Sequence, residues 1–260
     1  MHKRICLIAL GLAFGCSSNS IALKYAFPVG RTDTYSWTIE AITDKNTSSE
    51  VTHEVFMASG FLTETILRAT SKGRMIVRLD MRTSRATLDG EPRTLHSRAE
   101  IEIDRDGRAI RVMEAEGTDS FVDAQGLLAA LDPQLPPSRV KIGQGWNSPV
   151  RSRTNSSAVT LDGKGKLEGF DLRQHKRLAL IAYRRHGTAQ GIQRVGNIDL
   201  ELKGTSTEKM TTSFAIDDGS IFDSIQDSET TFDVGSPSGG PGSKKATIVV
   251  RISTKLKRMP

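Results

Sequence analysis

Cysteine is nearly absent. The 260-residue chain holds two, Cys6 and Cys16, both close to the N-terminus. The other 244 residues beyond Cys16 therefore carry no disulfide scaffold and no cysteine-rich metal site. Aromatic residues make up only 5%, with two tryptophans and three tyrosines. The interleaved aromatics on which nucleic-acid platforms stack bases are missing. The longest apolar run, 5–15, is well short of the roughly 20 residues a spanning helix needs. That excludes a chain threaded repeatedly through a bilayer by helices. Histidine is scarce too. His53, His96, His175 and His186 are each too far from the next to form a two- or four-residue metal pair.

Other reactive patterns fail for specific reasons. Gly235-Ser236-Pro237-Ser238-Gly239 places Pro237 where a nucleophile elbow needs serine. Asp104-Arg105-Asp106-Gly107 lacks the ligand spacing of a calcium loop and reads as a hairpin turn. Gly163-Lys164-Gly165 lacks the third glycine of a dinucleotide loop and reads as a turn or bulge inside a strand. The expectation is a protein that is not an enzyme, with no catalytic residue, no metal and no cofactor.

The features present begin with an address. His2, Lys3 and Arg4 precede ten apolar residues, and small and polar residues come next. That is the three-part pattern of an export signal over 1–22. Two processing readings compete. Leu12-Ala13-Phe14-Gly15-Cys16 resembles a bacterial lipoprotein box, which makes Cys16 a lipidation site and 17–20 a polar tether. Alternatively, Ser20-Ile21-Ala22 offers an ordinary peptidase site after Ala22. Both place the protein in the cell envelope, periplasmic or anchored to the outer membrane by its lipid. Removal of Lys3 and Arg4 lowers the formal charge from +6 to about +4. An excess that small, spread along the chain, argues against nucleic acid as a partner. The basic clusters at 203–209, Arg184-Arg185 and 255–258 read as a solvated sheet face, or as contacts for an anionic lipid or polymer.

The rest of the chain alternates. Tyr35, Trp37 and Ile39 share one parity. Met75, Val77, Leu79 and Met81 do the same, as do Ile101 with Ile103, Ile198 with Leu200 and Leu202, and Ile248 with Val250 and Ile252. Side chains point to opposite faces in turn, so each run has a dry face and a wet one. That predicts antiparallel sheet with one solvated side. Asp89-Gly90, Asp106-Gly107 and Asp218-Gly219 are hairpin cues, because they supply positive φ cheaply. One helix is predicted near 120–132, capped by Ser120 and stopped by Pro133, Pro136 and Pro137. The run 235–245 reads as a flexible loop.

A faint repeat accompanies this pattern. Gly30 and Gly107 lie 77 residues apart, and Gly143 and Gly219 lie 76 apart. The spacing suggests that the β-rich domain 23–260 contains two related halves, 23–132 and 138–260, as fused β units.

Three stretches carry a resemblance: 23–30 with the nearby Tyr35-Ser36-Trp37, the hairpin 101–110, and 135–146 with its Pro-Val-Gly-Trp order. They resemble a broad group of uncharacterised bacterial secreted proteins and lipoproteins. The resemblance implies a curved antiparallel sheet with helical cover, similar to the half-barrel of periplasmic lipoprotein carriers. It brings no catalytic residue. The expected fold is thus mainly β, a curved sheet or half-barrel. The expected function is binding of a hydrophobic ligand or lipid against Trp37, Met75, Val77, Leu79 and Trp146. The other reading is a structural or interaction module whose core fills itself.

Overall fold

The structure is a computed structural model that describes residues 20–47, 50–93, 96–104, 107, 109–117, 133–153, 157–195, 198–235 and 246–260. Cys16, the predicted helix at 120–132 and most of the loop 235–245 lie outside the described residues. The described chain is all β. Six strands precede the connector: β1 (Thr32–Asn46), β2 (Val51–Ala69), β3 (Met75–Leu88), β4 (Glu91–Pro92), β5 (His96–Ile103) and β6 (Ala109–Gly117). Seven come after it: β7 (Gly145–Asn147), β8 (Val150–Arg153), β9 (Ser157–Arg173), β10 (Lys176–Val195), β11 (Ile198–Ala215), β12 (Ser220–Gly235) and β13 (Ala246–Arg258).

All thirteen join one antiparallel sheet in the order β6-β5-β3-β2-β1-β13-β12-β11-β10-β9-β7, with β4 on β3 and β8 on β9. The sheet is not closed: β6 and β7 are its edges. The first strand pairs with the last from Tyr35↔Arg258 to Asn46↔Thr247, and this seam joins two wings. Alternation explains why these segments are strands. In β1, Tyr35, Trp37, Ile39 and Ala41 are buried, while the residues between them face outward. Register shifts at Ser59/Gly60, Leu180/Ile181 and Ser213/Phe214 mark bulges, which bend long strands and sharpen their twist.

One hydrophobic cluster carries residues of both wings, from Ile101 and Leu79 on one side to Tyr183 and Phe214 on the other. A flat sheet cannot bring these together, so the inner face bows around its contents. Those contents include two extended straps. Ile21 and Val140 exchange backbone hydrogen bonds of 2.8 Å. Ala26 donates to the Gly219 carbonyl at 2.9 Å, and Gly30 to that of Ile66 at 2.8 Å. Leu23, Leu135 and Val140 are buried between the straps and the sheet. Tyr25 bridges the wings. Its ring meets Phe214 edge-on at 5.4 Å, and its hydroxyl donates to the Pro133 carbonyl at 2.9 Å. The same ring lies so close to Gly107 (φ +81°) that a Cβ there would stand 2.3 Å from it.

The turns match the cues in part. Asp89 and Gly90 both take positive φ, as a tight hairpin requires. Gln174 (φ 52°) and His175 (φ 61°) make an equivalent turn between β9 and β10 without any glycine. The expectation of a turn or bulge at Gly163-Lys164-Gly165 is corrected. Both glycines sit in unbroken pairing within β9. A Cβ on Gly165 would meet the rings of Trp146 and Tyr183 at 2.6 and 2.7 Å, and one on Gly163 would meet Arg185. Close approach of the two rings at Gly165, and of the Arg184 carbonyl oxygen (2.2 Å from such a Cβ) at Gly163, is what selects glycine there.

Candidate functional site

The five predicted ligand-contacting residues all lie on the inner face, and none is more than 8% exposed. Met75, Val77 and Leu79 stand opposite Ile103, Ile101 and Ala99 across the β3–β5 pair. Trp37 packs from β1 into the same cluster. Trp146 crosses Tyr183 edge-on at 5.9 Å and donates its indole N–H to the Gln134 carbonyl at 2.8 Å. The apolar surface expected to meet a ligand is thus covered by the protein's own side chains and straps. The indole N–H of Trp37, by contrast, is buried without a hydrogen-bond partner among the described residues.

A charged cluster at the turn end of the seam corrects the solvated reading of Arg258, which is drawn into it and mostly covered. Asp33 of β1 and Glu64 of β2 stand directly opposite each other, and both are buried. Arg31 Nε contacts Asp33 at 2.7 Å, and Arg258 Nη2 contacts it at 2.6 Å. Arg258 Nη1 also reaches Asp218 at 2.7 Å and donates to Ser220 Oγ at 2.9 Å. Lys176 pairs with Asp218 as well. Arg31 donates to the Ala26 carbonyl at 3.0 Å, which ties the first strap to the cluster. Burial, reinforced by the Asp33 charge, pushes the Glu64 carboxyl up to about 7, against the pull of Arg31, Arg258 and a Tyr35 hydrogen bond. A cavity of about 10 Å³ adjoins the pair, lined by Tyr25, Phe27 and Ile66 among others. That is room for one water. The arrangement can hold and release a proton near neutrality, but a substrate does not fit. Parity carried a signal for it: Asp33 shares the dry face of Tyr35 and Trp37.

A second buried network corrects the solvated reading of Arg184-Arg185. Arg184 faces outward, but Arg185 faces in and is buried with Glu208. Arg185 pairs with Glu208 and donates to the Ser148 carbonyl and to Ser148 Oγ, each at 2.9 Å. Its guanidinium lies 4.8 Å above the Tyr183 ring centre. Gln226 Nε2 donates to the other Glu208 oxygen at 3.0 Å. The buried charges are thus paired and hydrogen-bonded, which makes the pair a pin and not a free reactive group.

His53, His96, His175 and His186 are all exposed. His53 has Asp44 at 2.7 Å, and His96 has Asp80 at 3.6 Å. Among the described residues no group of three or more His, Cys, Asp or Glu is placed to hold a metal. A dent of about 490 Å³ lies on the outer face, lined by Glu40, Lys209, Asp227, Glu229 and Arg251 among others.

No family model matches the chain. No curated protein matches it either. Among solved structures it is similar to Pseudomonas aeruginosa OccK11 (OpdR), with 8% identity and a TM-score of 0.24, over 90% of this chain and 99% of that one. Pseudomonas aeruginosa OpdQ gives 8% identity and a TM-score of 0.23, over 89% of this chain and 100% of that one. Likeness at that level carries no argument about shared fold or role.

Proposed function

We propose that the chain is a non-enzymatic, exported cell-envelope protein that works as an interaction module, its inner face filled and its outer face presented to partners. The observation that carries this reading is the burial of Trp37, Met75, Val77, Leu79 and Trp146 in one continuous cluster with the straps. A ligand pocket of several hundred cubic ångströms would need those side chains to part. Native mass spectrometry of protein taken from bacterial envelopes tests it. The expected result is the mass of the polypeptide and its own N-terminal modification alone. A stoichiometric co-purifying lipid, lost in a Val77→Trp variant that still folds, overturns the reading in favour of a hydrophobic-ligand carrier.

The address is part of the proposal. Ile21 is paired with Val140, and Arg139 Nε donates to Ser20 Oγ at 3.1 Å. A cut after Ala22 would remove both partners and leave the Val140 backbone groups unpaired. Processing at Cys16 keeps them, which supports acylation of Cys16 and an anchored protein. Two or more acyl chains suffice to hold a protein on a membrane. N-terminal mass analysis checks this. A mature chain beginning at Leu23 ends the lipoprotein reading.

A further inference from the structure

The outer face carries a line of cations that make no close ion pair among the described residues. Lys164 of β9 stands directly opposite Arg184 of β10, and Arg184 directly opposite Lys209 of β11. All three are exposed. None of the three makes an ion pair within 4 Å among the described residues, although cations nearby do. Lys166 has Glu168, Arg151 has Asp162, and Arg251 has Glu229 and Asp44. Asp227 faces Lys209 across the next strand pair and closes the line at that end without forming a close pair.

Like charges directly opposite across a sheet repel, and two successive such pairs compound the cost. The next outer positions of these strands do not show this. His186 faces Asp162 and Thr207, and Thr188 faces Thr160 and Thr205. Neighbouring strands lie about 4.8 Å apart, so the three cations span roughly 10 Å in a straight row. We propose that this row docks a linear polyanion, a chain bearing one phosphate or carboxylate about every 5 Å, laid across β9, β10 and β11. A line matches a chain of charges. A membrane surface would be met by cations spread over an area with large apolar side chains among them, whereas the same-face neighbours here are Asp162, Lys166, Ala182, His186, Thr207 and Thr211. The proposal rests on the outer face being the working face, but not on the state of the interior.

Fluorescence anisotropy with end-labelled inorganic polyphosphate and the full chain tests it. Three neutralised charges predict that affinity falls about 20-fold between roughly 50 and 200 mM salt. The triple variant Lys164→Gln, Arg184→Gln, Lys209→Gln should bind about tenfold more weakly or worse and lose most of that salt dependence. Lys203→Gln, which removes a cation already paired with Glu201 at 2.9 Å, should bind as the native chain does. Thermal melts confirm that the variants fold. Binding to anionic vesicles but not to polyphosphate overturns the proposal, as does equal binding by the triple variant or no binding at all. If lipid is found in the interior while the triple variant still loses polyphosphate, the interaction-module reading of the core fails and this one stands.

Discussion

Glu64 is the buried acid whose protonation departs far from its ordinary state within the neutral pH range. Its carboxyl is held neutral to about pH 7 by burial and by the Asp33 charge across the strand pair. The folded value lies above the unfolded one of about 4.5, so the folded chain binds this proton more tightly. The resulting stability is complete below about pH 4.5, shrinks as pH rises and is gone once Glu64 ionises above about 7. A shift of that size corresponds to about 3 kcal/mol. Asp218, whose pairing with Lys176 and Arg258 holds its carboxyl low against its own burial, acts in the opposite sense and only at acid pH. Urea melts near pH 5 and near pH 8 should therefore show the native chain losing stability with rising pH, while Glu64→Gln loses much less. An equal loss in both would remove Glu64 as the cause. Glycines give a second comparison. Gly107→Ala combines a left-handed φ with a collision against the Tyr25 ring and should cost about 2–4 kcal/mol. Gly169→Ala meets nothing within 4 Å and should stay within about 0.5 kcal/mol. Denaturant midpoints of the two variants decide the matter.

Between elements, two devices hold the bowed sheet. The Arg185–Glu208 pin joins β10 and β11 to the Ser148 link between β7 and β8. Breaking one partner leaves a buried charge alone. Arg185→Met should cost about 3–5 kcal/mol, and adding Glu208→Leu should recover part of the loss. If the double variant is no better than the single one, the charge is not what the pin balances. The first strap is the other device. Leu23→Ala removes a side chain 2% exposed from between strap and sheet and should cost about 2–5 kcal/mol. Guanidinium unfolding reads this directly. Ile21, Leu23, Tyr25 and Phe27 share one parity along the strap and pack on the core cluster, while its backbone groups pair with Gly219 and Val140 far along the chain.

Across the whole molecule, the seam between the first and last strands governs how the chain folds. β1 has no second neighbour until β13 is made, because its other partner is β2. Removing the chain after residue 245 would uncover one side of Trp37 and open the cluster at its centre. Such a truncation should lack a cooperative thermal transition, as monitored by near-ultraviolet circular dichroism. Pairing of ends about 200 residues apart also places folding of the full chain in the slow, millisecond-to-second range or beyond.

The strands were legible in the residue order because alternation is local: each dry face announces itself every second residue, as in 35–41 and 75–81. The Asp89-Gly90 turn was legible for the same reason, since the positive φ there belongs to two adjacent residues. The buried acid Asp33 could have been read from its parity with Tyr35 and Trp37, and Arg185 from its parity with Tyr183. What local pattern could not supply was the company each residue keeps. That Glu64 faces Asp33, that Arg185 meets Glu208, that Lys164, Arg184 and Lys209 fall in one line, and that the dry faces close on two straps all depend on strand order and register. Those are set by which distant surfaces bury each other best, and the free energy of that choice belongs to the assembled sheet and to no segment alone.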